Sequence, residues 1–445
     1  MSRSSLRSPR CAFAAFAAFA AFGLALAQDS ALAQPAKNTA PAQAPKAAAP
    51  KTVVAIVGAT VETGKGPALN DAVLVIEGDR IASVTAGGAA PAGATIVDGK
   101  GKVVTCGFVD ALTAIGLAEV DLEDDARDDY QGGEDRIRAG FRAEDAYNPL
   151  GTIGKITRRE GVTSVGVVPS GGLFSGQSLW ADLDGELARD SIAKAPLALH
   201  VHVESGGGQT RGGRGTSILR IREAFDDARV FQKNRAAWER NQSRELAPSR
   251  LDLEAIVRTL GGGVPVVFHV DRAADILTVL GLAKEFALCP IIAGGAEAWR
   301  VAGELAAAKV PVFVHPLLPG PTSFDTLGAR DDNAALLAAA GVALGISTQD
   351  THNARKLRQE VGNAIRAGLS REAALASVTR VPAEVFGLGE RYGTLEKGHT
   401  ANLVLWSGDP FELTTRATAV MIRGRWVTLA SRQTELFEKY RAESR

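Results

Sequence analysis

Along residues 52–103 apolar and polar positions alternate, as in Val53-Val54-Ala55-Ile56-Val57 and Ala72-Val73-Leu74-Val75-Ile76-Glu77-Gly78-Asp79, with turn residues between the runs. A period of two with such punctuation predicts short antiparallel strands. The pattern returns near the other end, in Ala401-Asn402-Leu403-Val404-Leu405-Trp406 and Ala419-Val420-Met421-Ile422-Arg423-Gly424. Residues 52–103 and 391–432 are therefore expected to complete one small β-sandwich. Between them apolar runs alternate with amphipathic stretches. Strands are expected at 103–110, 162–168, 176–183, 197–203, 265–270, 289–294, 311–315 and 341–346. Helices are expected at 149–160, 216–245, 252–260, 272–287, 296–308, 330–340, 353–368 and 370–387. Eight such alternations predict an α/β fold, a (β/α)8 TIM barrel spanning 104–390. Residues 433–445 read as a C-terminal tail.

The first 51 residues stand outside this pattern. Arg3, Arg7 and Arg10 precede an apolar run from Cys11 to Ala27, followed by small-x-small sites at Ala25-Leu26-Ala27 and Ala31-Leu32-Ala33. Residues 1–33 read as a secretory signal peptide, which predicts a periplasmic or secreted protein. The apolar run is short for a membrane span, which needs about 20 residues, so no stable anchor is expected after cleavage. Residues 34–51, rich in Pro, Ala and Lys, read as a flexible linker. Lys+Arg 50 balance Asp+Glu 50, and without a basic run nucleic-acid binding has no support. The partner expected is a small-molecule ligand, with self-association left open. Cys106 and Cys289 open different predicted strands and are expected to be buried free thiols.

Candidate chemistry begins with histidines. Pro196–His200, Pro265–His269 and Pro311–His315 share one spacing on three predicted strands. If each proline marks the barrel floor, the three histidines lie at similar height. His202 and Glu204 follow His200 at steps of two, which puts all three on one strand face. His200, His202, Glu204, His269 and His315 thus offer donors for an unorthodox divalent metal site, zinc or manganese, or for a substrate site. The other reading is a set of lumen polar groups that bond one another. After the last barrel strand, Asp350, His352 and Arg355 open a helix at the barrel mouth, where this fold builds its sites. They are candidate ligand contacts, with helix capping as the alternative for Asp350. The acidic stretch Glu119–Asp129 lacks EF-hand spacing and reads as a solvated loop. The Gly-rich stretch 205–215 fits no phosphate-loop pattern. No Gly-x-Ser-x-Gly elbow is present, and neither cysteine has the setting of a nucleophile.

Two stretches carry a family resemblance. Val104-Thr105-Cys106-Gly107-Phe108-Val109-Asp110-Ala111-Leu112-Thr113-Ala114 resembles the first barrel strand of the amidohydrolase superfamily. From Pro382-Ala383 and Phe386-Gly387-Leu388, through Gly393-Thr394-Leu395-Glu396-Lys397-Gly398 and Ala401–Leu405, to Gly408-Asp409-Pro410-Phe411, the chain resembles imidazolonepropionase-related members, which usually carry Asp where Asn402 stands. The stretch Leu173–Gly185, with Ser175-Gly176-Gln177, resembles a divergent exported branch. The resemblance implies hydrolysis of C–N or C–O bonds by metal-activated water. It also implies metal ligands at the positions of Leu112, Ala114, His269, Gly294 and Ser347. Only His269 offers a family donor: Leu112, Ala114 and Gly294 have none, and Ser347 stands where the family has its aspartate base. Three readings follow. One is an exported hydrolase of amide, lactam or dipeptide-like bonds with a remodelled site. The second is a non-catalytic relative that binds a small molecule or partner. The third is metal-free acyl transfer by His269 with Ser347 or Asp350.

Overall fold

A computed structural model describes residues 52–129, 136–203, 213–316 and 321–443. The expected signal peptide and linker, Glu204, and residues 205–212 of the Gly-rich stretch lie outside these. Among the described residues no helix is long and apolar enough to cross a membrane.

The fold is mixed α/β. The strands run β1 (Val53–Glu62), β2 (Leu69–Glu77), β3 (Arg80–Ala86), β4 (Thr95–Asp98) and β5 (Val103–Cys106) in the N-terminal segment. The middle holds β6 (Phe108–Thr113), β7 (Val162–Val167), β8 (Phe174–Gln177), β9 (Leu179–Asp182), β10 (Ile192–Lys194), β11 (Leu199–His202), β12 (Val266–Val270), β13 (Pro290–Gly294), β14 (Val312–Val314) and β15 (Leu344–Ile346). The chain closes with β16 (Leu403–Trp406), β17 (Ala417–Ile422) and β18 (Arg425–Trp426).

The two ends share one β-structure, as the alternation predicts. Its hydrogen bonds form an eight-stranded sheet in the order β18-β17-β16-β5-β1-β2-β3, with β4 beside β1. Strand β5 joins the halves, parallel to β1 and antiparallel to β16. Alternate residues of β1 and β2 (Val54, Ile56, Leu74, Ile76) pack with Val104, Leu403, Leu405 and Met421. The intervening Ala55, Val73 and Val75 form a small second cluster.

In the middle segment β11 to β15 are successive parallel neighbours, and β6 pairs parallel with β7. Helices Arg214–Glu239, Ala273–Phe286, Ala302–Ala308, Asn333–Ala339 and Leu357–Arg366 lie between or after these strands. Period-two burial sorts the side chains. Leu199, Val201, Phe268, Ile292, Val312 and Ile346 join the large cluster shared with the helices. Ala198, Val267, Ala293 and Phe313, on the opposite face, join a second cluster with Trp180 and Phe386.

One expected strand differs from the eightfold pattern. The third is split at Ser178: β8 runs antiparallel to β11, and β9 antiparallel to β7. The cause is connection length. Between Val167 and Phe174 only six residues intervene, whereas a parallel crossover needs a dozen or more. The chain turns straight back, and this reversed strand links the four-stranded and six-stranded sheets.

The terminal sheet meets the parallel system at Asp182. This fully buried carboxylate accepts from Ser164 Oγ (2.6 Å), Asn402 Nδ2 (3.0 Å) and Tyr392 Oη (2.9 Å). An aspartate at 402 would face Asp182 with a like charge, so the asparagine matches its neighbour. Asn402 Oδ1 in turn accepts from the Arg423 amide at 2.8 Å. Of the two cysteines, only Cys289 departs from expectation. Cys106 is a buried free thiol whose pKa burial pushes up to about 12. Cys289 is half-buried and disulfide-bonded.

The β17–β18 turn supplies a test. Gly424 has φ +72°, and a Cβ there would lie 1.7 Å from the Gly78 carbonyl oxygen. Gly424→Ala should lower stability by about 1–3 kcal/mol, from left-handed strain plus the steric conflict, read as a shifted urea midpoint at unchanged slope.

Candidate functional site

Parallel pairing of β11 with β12 sets His200 opposite Val267 and His202 opposite His269. The His202 and His269 rings stack, with centroids 4.2 Å apart and planes at 7°. His200 Nδ1 lies 3.0 Å from His269 Nε2. The reversed third strand completes the group: Ser178 Oγ is 2.8 Å from His200 Nε2, and Ser175 Oγ is 3.2 Å from His202 Nε2. Burial pushes His200 down to about 3 and His202 to about 4, and takes His269 well below its ordinary value. All three are neutral at pH 7. Both nitrogens of His200 are committed, and the His200–His269 contact holds one proton between two lone-pair positions.

The sequence therefore brings together three of its five proposed donors. His315 goes elsewhere: its Nε2 sits 3.0 Å from Oε1 of the buried Glu360. Glu204 lies outside the described residues. Among the described residues no group of three or more His, Cys, Asp or Glu side chains is arranged to hold a metal ion.

The four positions that lack the family donors have other roles. Leu112 packs into the core, and its N–H donates to Ser347 Oγ at 3.1 Å. The Ser347 hydroxyl donates to Asp110, which also accepts from Thr348 Oγ1 (2.5 Å) and Thr348 N (3.2 Å). Burial raises Asp110 to about 7, against the pull of these hydrogen bonds. Ala114 packs against the large core cluster. At Gly294 (φ +95°) a Cβ would stand 2.6 Å from Asp271 Oδ1. The space that a side chain would need at Gly294 is thus taken by Asp271. Burial raises Asp271 while the Ala296 N–H, 3.1 Å away, holds it back.

Asp271, Gly294 and Gln349 line two adjoining cavities beyond the strand ends. One, of about 180 Å³, is walled by His202, His269, Asp275 and Asp325. The other, of about 200 Å³, is walled by His315, Asn333 and Thr322. Arg214 spans the first rim, 3.1 Å from Asp275 and paired with Asp325. Asp271, Gln349 and Glu360 were not singled out in the sequence. The step of two from His269 to Asp271 carries the signal that joins His200 to His202. Gln349 and Glu360 have none, since a turn and a helix bring them in.

The mouth residues are placed outside this cleft. Asp350 accepts from the Asn353 amide and side chain, both at 2.9 Å, within the turn that precedes the short helix Ala354–Lys356. His352 bridges Asp121 Oδ2 (2.9 Å) and the Glu119 carbonyl (3.0 Å), tying the loop after β6 to the loop after β15. Arg355 is exposed on the short turn Ala354–Lys356. In the acidic loop Arg127 forks onto Asp129, and Glu119 accepts from Thr152.

Residues 331–428 match the sequence profile of the amidohydrolase family. A solved amidohydrolase from Thermotoga maritima MSB8 superposes with a TM-score of 0.77 at 27% identity, covering 84% of this chain and 99% of that one. The chain belongs to the amidohydrolase superfamily. Its superfamily relatives include amidohydrolase tasK of Hapsidospora irregularis, 25% identical over 375 residues, covering 75% of this chain and 37% of tasK. An imidazolonepropionase from Aromatoleum aromaticum is 34% identical over 177 residues, covering 38% of this chain and 41% of the relative. The chain thus aligns with only about two fifths of the length of these curated relatives.

Proton linkage gives a test of this amidohydrolase-fold site. The three histidines have folded pKa values below the unfolded 6.5. The unfolded state therefore binds protons first, and stability is lost as pH falls below 6.5. Asp110, raised from 3.8 to about 7, works the other way: its contribution is lost as pH rises through that window. Asp271, Asp182 and His315 also titrate with raised values, so the test compares variants with the unaltered protein. Between pH 7 and pH 5, His202→Gln should shift the acid-induced change in the urea midpoint upward and Asp110→Asn should shift it downward; the opposite shifts would contradict the assignment.

Proposed function

We propose that this protein is an exported amidohydrolase-superfamily member that binds a small polar molecule at its strand ends, on a scaffold whose metal centre has degenerated. The observation that carries the reading is the fate of the donor positions. Ser347 spends its hydroxyl on Asp110 and Leu112, and Gly294 leaves its space to Asp271. Zinc asks for about four donors. His269 shares one ring nitrogen with His200, and Leu112 and Ala114 have no lone pair. This donor set does not fit a binuclear centre of zinc or manganese, and no hydrolytic step is routed through one.

In this reading the middle segment, 104–390, is a barrel with one reversed strand, and the Ser347–Leu112 hydrogen bond joins its first and last strands. Residues 52–103 and 391–432 form the composite sandwich, supported by the core that packs β1 and β2 against β5, β16 and β17. Arg3, Arg7, Arg10 and the apolar run after them support export to the periplasm or beyond. A ligand lodged at the strand ends would meet Asp271, Gln349, Asn333 and His315, a lining of acceptors and donors suited to an amide, lactam or dipeptide-like molecule.

A second reading is favoured by the three neutral imidazoles, which are basic lone-pair groups held in one place: a remodelled metal hydrolase acting on such bonds. Elemental analysis of protein purified without chelator separates the two. We expect well under one transition-metal ion per chain, also after incubation with zinc or manganese. One or more tightly held ions per chain would favour the remodelled hydrolase. A panel of lactams and dipeptides should contain a compound that raises thermal stability, by about 2.7 kcal/mol at a hundred times its Kd, with EDTA making no difference.

A further inference from the structure

Glu360 sits on the helix Leu357–Arg366, 1% exposed, against His315 at the end of β14. A carboxylate at that depth is costly unless paired. His315 faces outward from the pair and lines the cleft of about 200 Å³. By accepting from Nε2–H, Glu360 fixes the tautomer, and the lone pair of the neutral ring is then on Nδ1. Buried carboxylate, oriented imidazole and cavity stand in the order that activates a proton acceptor. We propose that His315 and Glu360 form a metal-independent general-base pair that hydrolyses activated carboxylic esters in this cleft, with His315 as the base and Glu360 as its positioning residue.

The step balances without a cofactor. His315 Nδ1 takes a proton from water as the water oxygen bonds to the acyl carbon. The ester C–O bond breaks, the alkoxide or phenolate leaves, and the imidazolium returns its proton to solvent or to the leaving oxygen. The groups that face His315 set its working range. Burial disfavours the charged ring, but the hydrogen bond and charge of Glu360, together with Asp110 and Asp350, outweigh it and raise the pKa above 6.5. Asp271, across the cleft, and Arg330 and Asp331 at its rim complete the charged lining. The base form therefore gives way to the imidazolium at a higher pH than in an unpaired imidazole. The inference uses the same cleft as the binding reading but needs none of its ligands: binding without turnover would leave that reading standing and overturn this one.

The test is hydrolysis of p-nitrophenyl acetate by the full protein in EDTA, measured from pH 5 to 9. The rate should rise with pH to a plateau. His315→Ala and His315→Gln should each lower the plateau at least about tenfold, while His399→Gln, in the turn beside β3, leaves it unchanged. Glu360→Gln should move the rising limb to lower pH and reduce the plateau, which a purely structural role would not do. Should Glu360→Gln not fold, the ring titration of His315 by NMR in the unaltered protein decides, and a value below 6.5 overturns the pair. A plateau indifferent to His315 substitution, or a limb unmoved in folded Glu360→Gln, likewise overturns it.

Discussion

The hydrogen bonds that gather on Asp110 are the constraint on which the middle of the molecule depends. Strand β6 and the segment after β15 are far apart in sequence, and Asp110 holds them together through Ser347 and Thr348. Ser347 also accepts from the Leu112 amide, so one hydroxyl serves two elements at once. An aspartate in place of Ser347 would set a second carboxylate against Asp110, and two buried like charges at contact cannot both ionise. The serine hydroxyl and the buried carboxylate are thus matched as donor and acceptor. A hydroxyl spent on this stitch is not offered to a ligand.

Gly294 and Asp271 repeat this logic on β12 and β13. Asp271 takes the volume in front of Gly294 and is anchored there by the Ala296 amide. A histidine at 294 would have to displace Asp271 and also adopt φ +95°, which only glycine takes readily. At Ser347 and Gly294 the space of a family donor is thus taken up by a hydrogen-bonded carboxylate nearby.

Much of this was legible in the chain. Periodicity places the parallel strands within a few residues, because a buried face repeats every second position whatever surrounds it. The same rule finds the His200–His202–His269 group, since those residues share strand faces. It did not find the reversal of the third strand, which is set by the length of the Val167–Phe174 connection rather than by any side-chain pattern. It also misassigned His315. The shared proline spacing gives height along a strand but says nothing of what lies behind the ring, and Glu360 arrives from a helix 45 positions later in the chain. Local pattern fixes the face a residue presents; only packing decides its partner.

Packing also divides the histidines electrostatically. His200, His202 and His269 are buried beside one another, and desolvation, aided by repulsion among the rings, keeps all three neutral. His315 meets the same desolvation, yet three carboxylates overturn it. Gln349 and Asp271 lie between the two zones and line both cavities. A molecule spanning the cleft would meet neutral rings at one end and a carboxylate-paired imidazole at the other. Desolvation favours an uncharged group at the first end, whereas a group that exchanges protons is matched by the second. The cleft thus offers two ends of different proton affinity, an asymmetry of the kind that chemistry at a carbonyl uses.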